Sequence, residues 1–176
     1  MRPYLIKTAS LQEVEEASLL ISESWQNVYR GVLHNHYLDE LNGFEWVASL
    51  TEAVKSPAME VLLMRIDGRL IGLAQIGVCP YPDYLGEGEL ILLYLAAGME
   101  GQGYGSALFR QAEEELCQRG YERLILRAFS ANKRALNFYH KMGCIDLAKG
   151  LSVSIGGRWY LYEILQKSLR IDMPQQ

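Results

Sequence analysis

The apolar positions of this chain repeat at two periods, and the switches between those periods mark out its elements. Tyr4 to Lys7 reads as a short opening strand. Ser10 and Glu13 have the spacing of a capping box, which satisfies free backbone N–H groups where a helix starts. Behind them Leu11, Val14, Ala17, Leu20 or Ile21, Trp25 and Val28 recur at helical spacing, so the helix buries one stripe as far as Tyr29, and Gly31 ends it. A short segment from Tyr37 to Leu41 and a helix from Phe44 to Val54 precede the break at Pro57. Val61 to Ile66 and Leu70 to Val78 are apolar runs joined by Asp67-Gly68, a strong hairpin signal. The segment CPYPDYLGEG, rich in proline and glycine, is a surface loop.

Glu89 to Ala96 is too continuously apolar for a sheet edge, and simple alternation puts Glu89, Ile91, Leu93 and Leu95 on one face. The helix after the next glycines carries Tyr104, Ala107, Leu108, Ala112 and Leu116 on its apolar side, with Gly120 as its C-cap. Arg123 to Ala128 is a strand, and a short helix bearing Asn132 and Tyr139 stops at Gly143. Two more strands, Cys144 to Leu147 and Arg158 to Leu165, close the chain with Gly156-Gly157 turning between them. Residues 170–176 read as a flexible tail of a single domain spanning 1–176.

Composition narrows the picture only a little. At 176 residues and 49% hydrophobic content, the chain is long enough for a sizeable core. A net charge of −4 argues against nucleic acid as a partner and mildly favours a cationic amine. Cys79, Cys117 and Cys144 are scattered, without a C-x-x-C pair, as expected for reduced thiols of a cytoplasmic protein. No apolar run has membrane-spanning length, so no membrane is expected as a partner. His34 and His36 lack a third ligand at metal spacing and read as exposed loop residues; no metal site is expected.

Candidate chemistry concentrates where the Glu89 strand runs into Glu100-Gly101-Gln102-Gly103-Tyr104-Gly105-Ser106. A strand that ends in glycines and opens a helix aims unpaired N–H groups from the positive end of a helix dipole, which suits a phosphate. A P-loop needs Gly-Lys-Ser/Thr, whereas Gly105 is followed by Ser106 and Ala107. A dinucleotide fingerprint needs a third glycine where Ser106 stands and an acidic end to the next strand, which ends in Arg127 and Ala128.

The stretch resembles instead the acyl-CoA-binding turn of the GNAT family of N-acetyltransferases. Gly101-Gln102-Gly103-Tyr104-Gly105 fits that turn, although Glu100 departs from the family's Gln or Arg. Downstream, N-KRALNF-Y-HKM-GCI repeats the family's Asn and Tyr seven apart on one helix face. The resemblance implies an α/β (α+β) fold with a central mixed, mostly antiparallel sheet of about seven strands, flanked by about four helices and splayed open for acyl-CoA. It implies acetyl-CoA as co-substrate and no metal. Main-chain groups of Leu93, Tyr94 and Leu95 would bond the pantetheine arm, Gly101, Gln102, Gly103, Tyr104, Gly105 and Ser106 would surround the pyrophosphate, and Asn132 would reach the arm while also capping its helix. Trp25 and Tyr29, with Tyr37 and Trp46, become candidates for the acceptor wall.

The same resemblance offers Glu89 as general base, with Glu87 a weaker substitute and water another route. It makes Tyr139 the acid that protonates the departing thiolate, as a phenol titrating near pH 10 can do. Backbone N–H near Leu95 would steady the negative charge on the acetyl oxygen. The expected reaction is acetyl transfer to a primary amine of a small molecule, a polyamine or similar, by direct attack in a ternary complex. A protein or peptide amine is the alternative acceptor, and an inactive acyl-CoA-binding sensor the alternative of another class. The W-x-x-x-Y-x-G-x-L pattern from Trp25 resembles small-amine acetyltransferases of bacterial type, and a homodimer is common in the family.

Overall fold

The computed structural model describes residues 1–169, so the expected tail over 170–176 lies outside the described residues. Seven strands form one sheet in the order β1-β2-β3-β4-β5-β7-β6: β1 (Leu5–Thr8), β2 (Met59–Ile66), β3 (Arg69–Val78), β4 (Gly88–Leu95), β5 (Arg123–Phe129), β6 (Ile145–Ile155) and β7 (Arg158–Ser168). Every neighbouring pair is antiparallel except β4 with β5. The two hairpin turns expected from sequence are present. Asp67 and Gly68 take φ of 48° and 81°, and Gly156 and Gly157 take 56° and 75°, so both central residues are left-handed, as tight hairpin turns require.

Helices cover both faces of this sheet. On one side lie α1 (Val14–Val28), α2 (Asn35–Asp39) and α3 (Val47–Lys55), whose buried Ala17, Leu20, Ile21, Leu50 and Ala53 pack on Val61, Leu63 and Leu73. On the other, α4 (Tyr104–Gln118) and α5 (Lys133–Lys141) bury Leu108, Phe109, Leu116, Leu136 and Tyr139 against Leu90, Leu124 and Leu126. Two buried layers on one sheet give the chain the α/β architecture that the resemblance implied.

Three local departures have physical causes. Helix α3 starts at Val47 and not at Phe44, because the Glu45 carboxylate folds back to accept N–H bonds from Asn42 (2.7 Å) and Gly43 (3.0 Å). Strand β6 runs to Ile155, well past Leu147. It is an edge strand exposed along much of its length, so its Lys149, Ser152 and Ser154 need no apolar alternation, and irregular register around Ala148 hides its period.

The third departure matters most for the site. In the β3–β4 ladder Gln75 faces Leu92 while Ile76 faces Leu90, so Ile91 is an extra, bulged residue. A bulge reverses the alternation. Leu93 and Leu95 pack with Leu90 on the α4 side, whereas Glu89 pairs with Gly77 and turns to the α1 side. The expectation that Glu89, Leu93 and Leu95 share a face is therefore corrected.

Candidate active site

Strands β4 and β5 pair only at Gly88–Leu124, Glu89–Ile125 and Leu90–Leu126. Beyond Leu90 they part, leaving the rest of β4 without a neighbour on that edge and opening a cleft of about 450 Å³. Leu90 to Leu95 form one wall, Arg127, Ala128, Asn132, Ala135, Phe138 and Tyr139 the other, and Gly101, Gly103, Gly105 and Ser106 the end.

The glycine end is built from backbone. Gly101 and Gly103 have φ of 74° and 91°, which a residue with a Cβ adopts only at a cost of about 1–2 kcal/mol. An added Cβ on Gly101 would meet nothing within 4 Å, so the glycine is there for the turn it makes and not for packing. Gly103 caps the 15-residue α4 without a side-chain bond, and no acidic residue stands in the first helical turn. The first helix bond runs from Ala107 N–H to Gly103 C=O at 3.0 Å, so the N–H groups before Ala107 lie outside the helical ladder, at the dipole's positive end.

Two of the turn's residues send their side chains elsewhere. Gln102 Nε2 donates to Gly98 C=O at 2.6 Å, and Tyr104 is buried with its hydroxyl accepting the Arg2 N–H at 2.9 Å. Both border a second hollow with Arg2, Asp67 and Arg69. Neither lines the main cleft, unlike the Gly101, Gly103, Gly105 and Ser106 expected beside them. The departing Glu100 has a structural use: its carboxylate accepts the Gly98 N–H at 2.9 Å and lies 3.9 Å from Arg134.

Along the walls, Leu93, Tyr94 and Leu95 present the open edge of β4, although Ser24 Oγ already donates to Leu95 C=O at 2.9 Å. Asn132 lines the cleft while its Oδ1 accepts the Ala135 N–H at 3.0 Å, so it caps α5 as expected and still faces the opening. Tyr139 shares that wall, its ring packed on Phe138 at 5.3 Å. Burial pushes its phenol well above the ordinary value, with Tyr29 and Cys144 adding to the shift, so at neutral pH it keeps its proton.

Glu89 does not line the cleft. It is 2% exposed on the α1 side, 3.4 Å from Arg127 Nε, and its Oε1 has no hydrogen-bond partner. Burial raises its carboxyl above the usual range while Arg127 pulls it back. Arg127 does line the cleft, and its guanidinium lies over the Tyr81 ring at 4.6 Å. The substitute base, Glu87, is engaged with Arg123 at 2.9 Å.

Next to this pair stands an aromatic cluster. Trp25 packs on Tyr29 (5.0 Å), Trp46 (5.2 Å) and Tyr37 (6.4 Å), and donates Nε1–H to Tyr94 Oη at 2.9 Å. Phe129 joins it, 5.1 Å from Tyr29 and 6.3 Å from Tyr160. The turn of the β6–β7 hairpin rests on it too, since a Cβ on Gly156 would come within 3.0 Å of Tyr37. Of the four aromatics expected at the acceptor wall, Tyr29 reaches the cleft, and Trp25, Tyr37 and Trp46 support it from behind. Sequence reasoning missed Ser24, Tyr81, Arg127 and Phe129. A lone arginine inside the apolar run Leu124 to Phe129 was the available signal for one of them.

The cysteines Cys79, Cys117 and Cys144 are free, and none lines the cleft. Among the described residues no helix is long and apolar enough to cross a membrane.

Known proteins agree with this architecture. The sequence profile of the acetyltransferase (GNAT) family matches residues 19–144. An uncharacterized N-acetyltransferase, YuaI, from Bacillus subtilis is 25% identical over 129 residues, 72% of each chain. A spermidine N(1)-acetyltransferase from Thermoplasma acidophilum is 24% identical over 148 residues, 78% of this chain and 86% of that one. Among solved structures, the PaiA N-acetyltransferase of Thermoplasma acidophilum in complex with coenzyme A superposes with a TM-score of 0.75 at 19% identity, over 94% of this chain and 99% of that one. A family match spanning most of the sheet and both walls of the cleft, on this fold, identifies the chain as an acetyl-CoA-dependent acyltransferase that belongs to the GNAT family.

Proposed function

We propose that this acetyltransferase moves the acetyl group of acetyl-CoA onto a primary amine of a small molecule by direct attack within a ternary complex. The observation that supports the reading is the pair of unlike ends of one cleft: backbone N–H groups at the glycine turn, and the protonated Tyr139 phenol on the wall beyond the parting of β4 and β5, with the Glu89 carboxylate buried behind Arg127.

The residues present fit acetyl-CoA. Gly101, Gly103, Gly105 and Ser106 would hold its pyrophosphate at the α4 dipole, the open edge of β4 its pantetheine amides, and Asn132 would stand beside the arm. When bound, acetyl-CoA supplies the acyl group as a thioester, which a neutral amine can attack.

The chain's own groups manage the protons. An ammonium has no lone pair, so Glu89, buried behind the lining, takes its proton through water, and burial makes its carboxylate a stronger base than an exposed one. Tyr139 holds the proton that a thiolate needs, and burial keeps it on the phenol until then. No cysteine borders the cleft to carry an acetyl group, and direct attack needs none. A thiol-release screen with acetyl-CoA over polyamines, aminoglycosides, amino acids and short peptides tests the reading. Release that depends on a small amine is expected; release with peptides alone, or tight acetyl-CoA binding without any turnover, contradicts it.

A further inference from the structure

Arg127 is the charged group on the acceptor side of the cleft that the reaction above leaves without a task. Three observations fix its surroundings. Its Nε lies 3.4 Å from the buried Glu89 carboxylate, its guanidinium face covers the Tyr81 ring at 4.6 Å, and its side chain is still 37% exposed where it borders the cleft. Among the described residues no protein group accepts a well-formed hydrogen bond from this guanidinium. A guanidinium braced on one edge and one face presents its remaining N–H groups as a planar fork, the geometry that binds carboxylates bidentately.

Its position is on the acceptor side by strand alternation. Phe129, two residues on, shares its face of β5 and packs on Tyr29, the aromatic that reaches the cleft. An acceptor resting against Tyr29 and Phe129 therefore has Arg127 beside it and Glu89 behind Arg127.

Charge decides which acceptor fits. Glu89 and Arg127 together sum to zero, so the partly buried site is neutral before substrate enters. A zwitterion keeps it neutral, with its carboxylate on the free fork of Arg127. A diamine adds uncompensated positive charge next to Arg127, which is costly away from bulk water.

We propose that Arg127, braced by Tyr81 and Glu89, is a carboxylate-reading residue that selects free amino acids, with amine and carboxylate one or two carbons apart, as acceptors. The proposal rests on the acetyltransferase reading and narrows its substrate class.

Matched acceptors test it: an amino acid and its own amide, which keeps the amine and removes the carboxylate charge, compared by acetyl-CoA-dependent thiol release. The wild-type protein is expected to favour the acid over the amide by about tenfold or more in kcat/KM, the scale of a charge-assisted hydrogen-bonded pair. Arg127→Met should bring the ratio close to one, and Arg127→Lys should restore part of it. Acetyl-CoA affinity measured by calorimetry controls for folding. If Arg127→Met does not fold, Tyr81→Leu, which removes the brace and leaves the charge, should still lower the ratio.

Wild-type protein that uses amides or polyamines as well as amino acids overturns the proposal, as does a preference that survives Arg127→Met. In both cases the acetyltransferase reading stands. Acetyl-CoA binding without thiol release from any amine overturns that reading itself.

Discussion

The two ends of the cleft are made of different material. The cofactor end is main chain: left-handed glycines, a helix start without a side-chain cap, and a strand edge whose neighbour has turned away. The proposed acceptor end is side chain: Tyr29 at the C-cap of α1, Arg127 from β5 and Tyr139 from α5 line it, with Phe129 from β5, Tyr81 from the β3–β4 loop and the buried Glu89 from β4 behind them. Backbone amides are the same in every protein, so the first end can hold one cofactor across a family while the second varies. The contrast teaches that recognition of acetyl-CoA and choice of amine are physically separable here, and substitutions should part them.

The largest effect is expected from Tyr139→Phe, which keeps the ring and removes the proton. Turnover should fall about a hundredfold, within the usual range for a lost general acid, while acetyl-CoA affinity by calorimetry changes little. A comparable loss of affinity would mean that the phenol belongs to the cofactor end.

Glu89→Gln follows, with a loss of roughly thirtyfold at neutral pH, because water can stand in for part of a base's work. The sign of its pH effect is fixed by the raised carboxyl: activity that needs the ionised form climbs as pH rises through that value. The variant should lack that limb and gain activity only at higher pH, where the amine loses its proton unaided. An unaltered profile would place the base elsewhere.

At the other end, Gly103→Ala forces a side chain into φ of 91° and should weaken acetyl-CoA binding about tenfold with kcat nearly intact, reflecting roughly 1–2 kcal/mol of left-handed strain. The smallest effect is expected from Glu100→Gln. Removing an anion from the pyrophosphate end should tighten acetyl-CoA binding about threefold, the scale of one charge near a helix start, with the acceptor ratio unmoved.

How far the sequence could be read follows the same division. Left-handed turns leave glycines behind, so the proposed cofactor end showed in Gly101 and Gly103, and the Asn132–Tyr139 spacing put both residues on one helix face, which lines the cleft. The layered fold showed in the periods of its strands and helices. The acceptor end showed only in part: Tyr29, Glu89 and Tyr139 were candidates, whereas Tyr81, Arg127 and Phe129 were not, because its members come from five separated regions and no local spacing ties Tyr81 to Arg127. The bulge at Ile91 was hidden as well: nothing in ELILLYL tells a regular strand from one with an extra residue, and that one residue moves Glu89 to the other face. The long edge strand β6 stayed hidden for the opposite reason, since an exposed strand need not alternate.

Direct attack requires both ends to be filled at once, and initial rates over a grid of acetyl-CoA and amine concentrations test that requirement most directly. Intersecting double-reciprocal lines are the predicted result, since acetyl-CoA and amine must occupy the cleft together. Parallel lines, the pattern of an acetylated enzyme formed and discharged in turn, would contradict it.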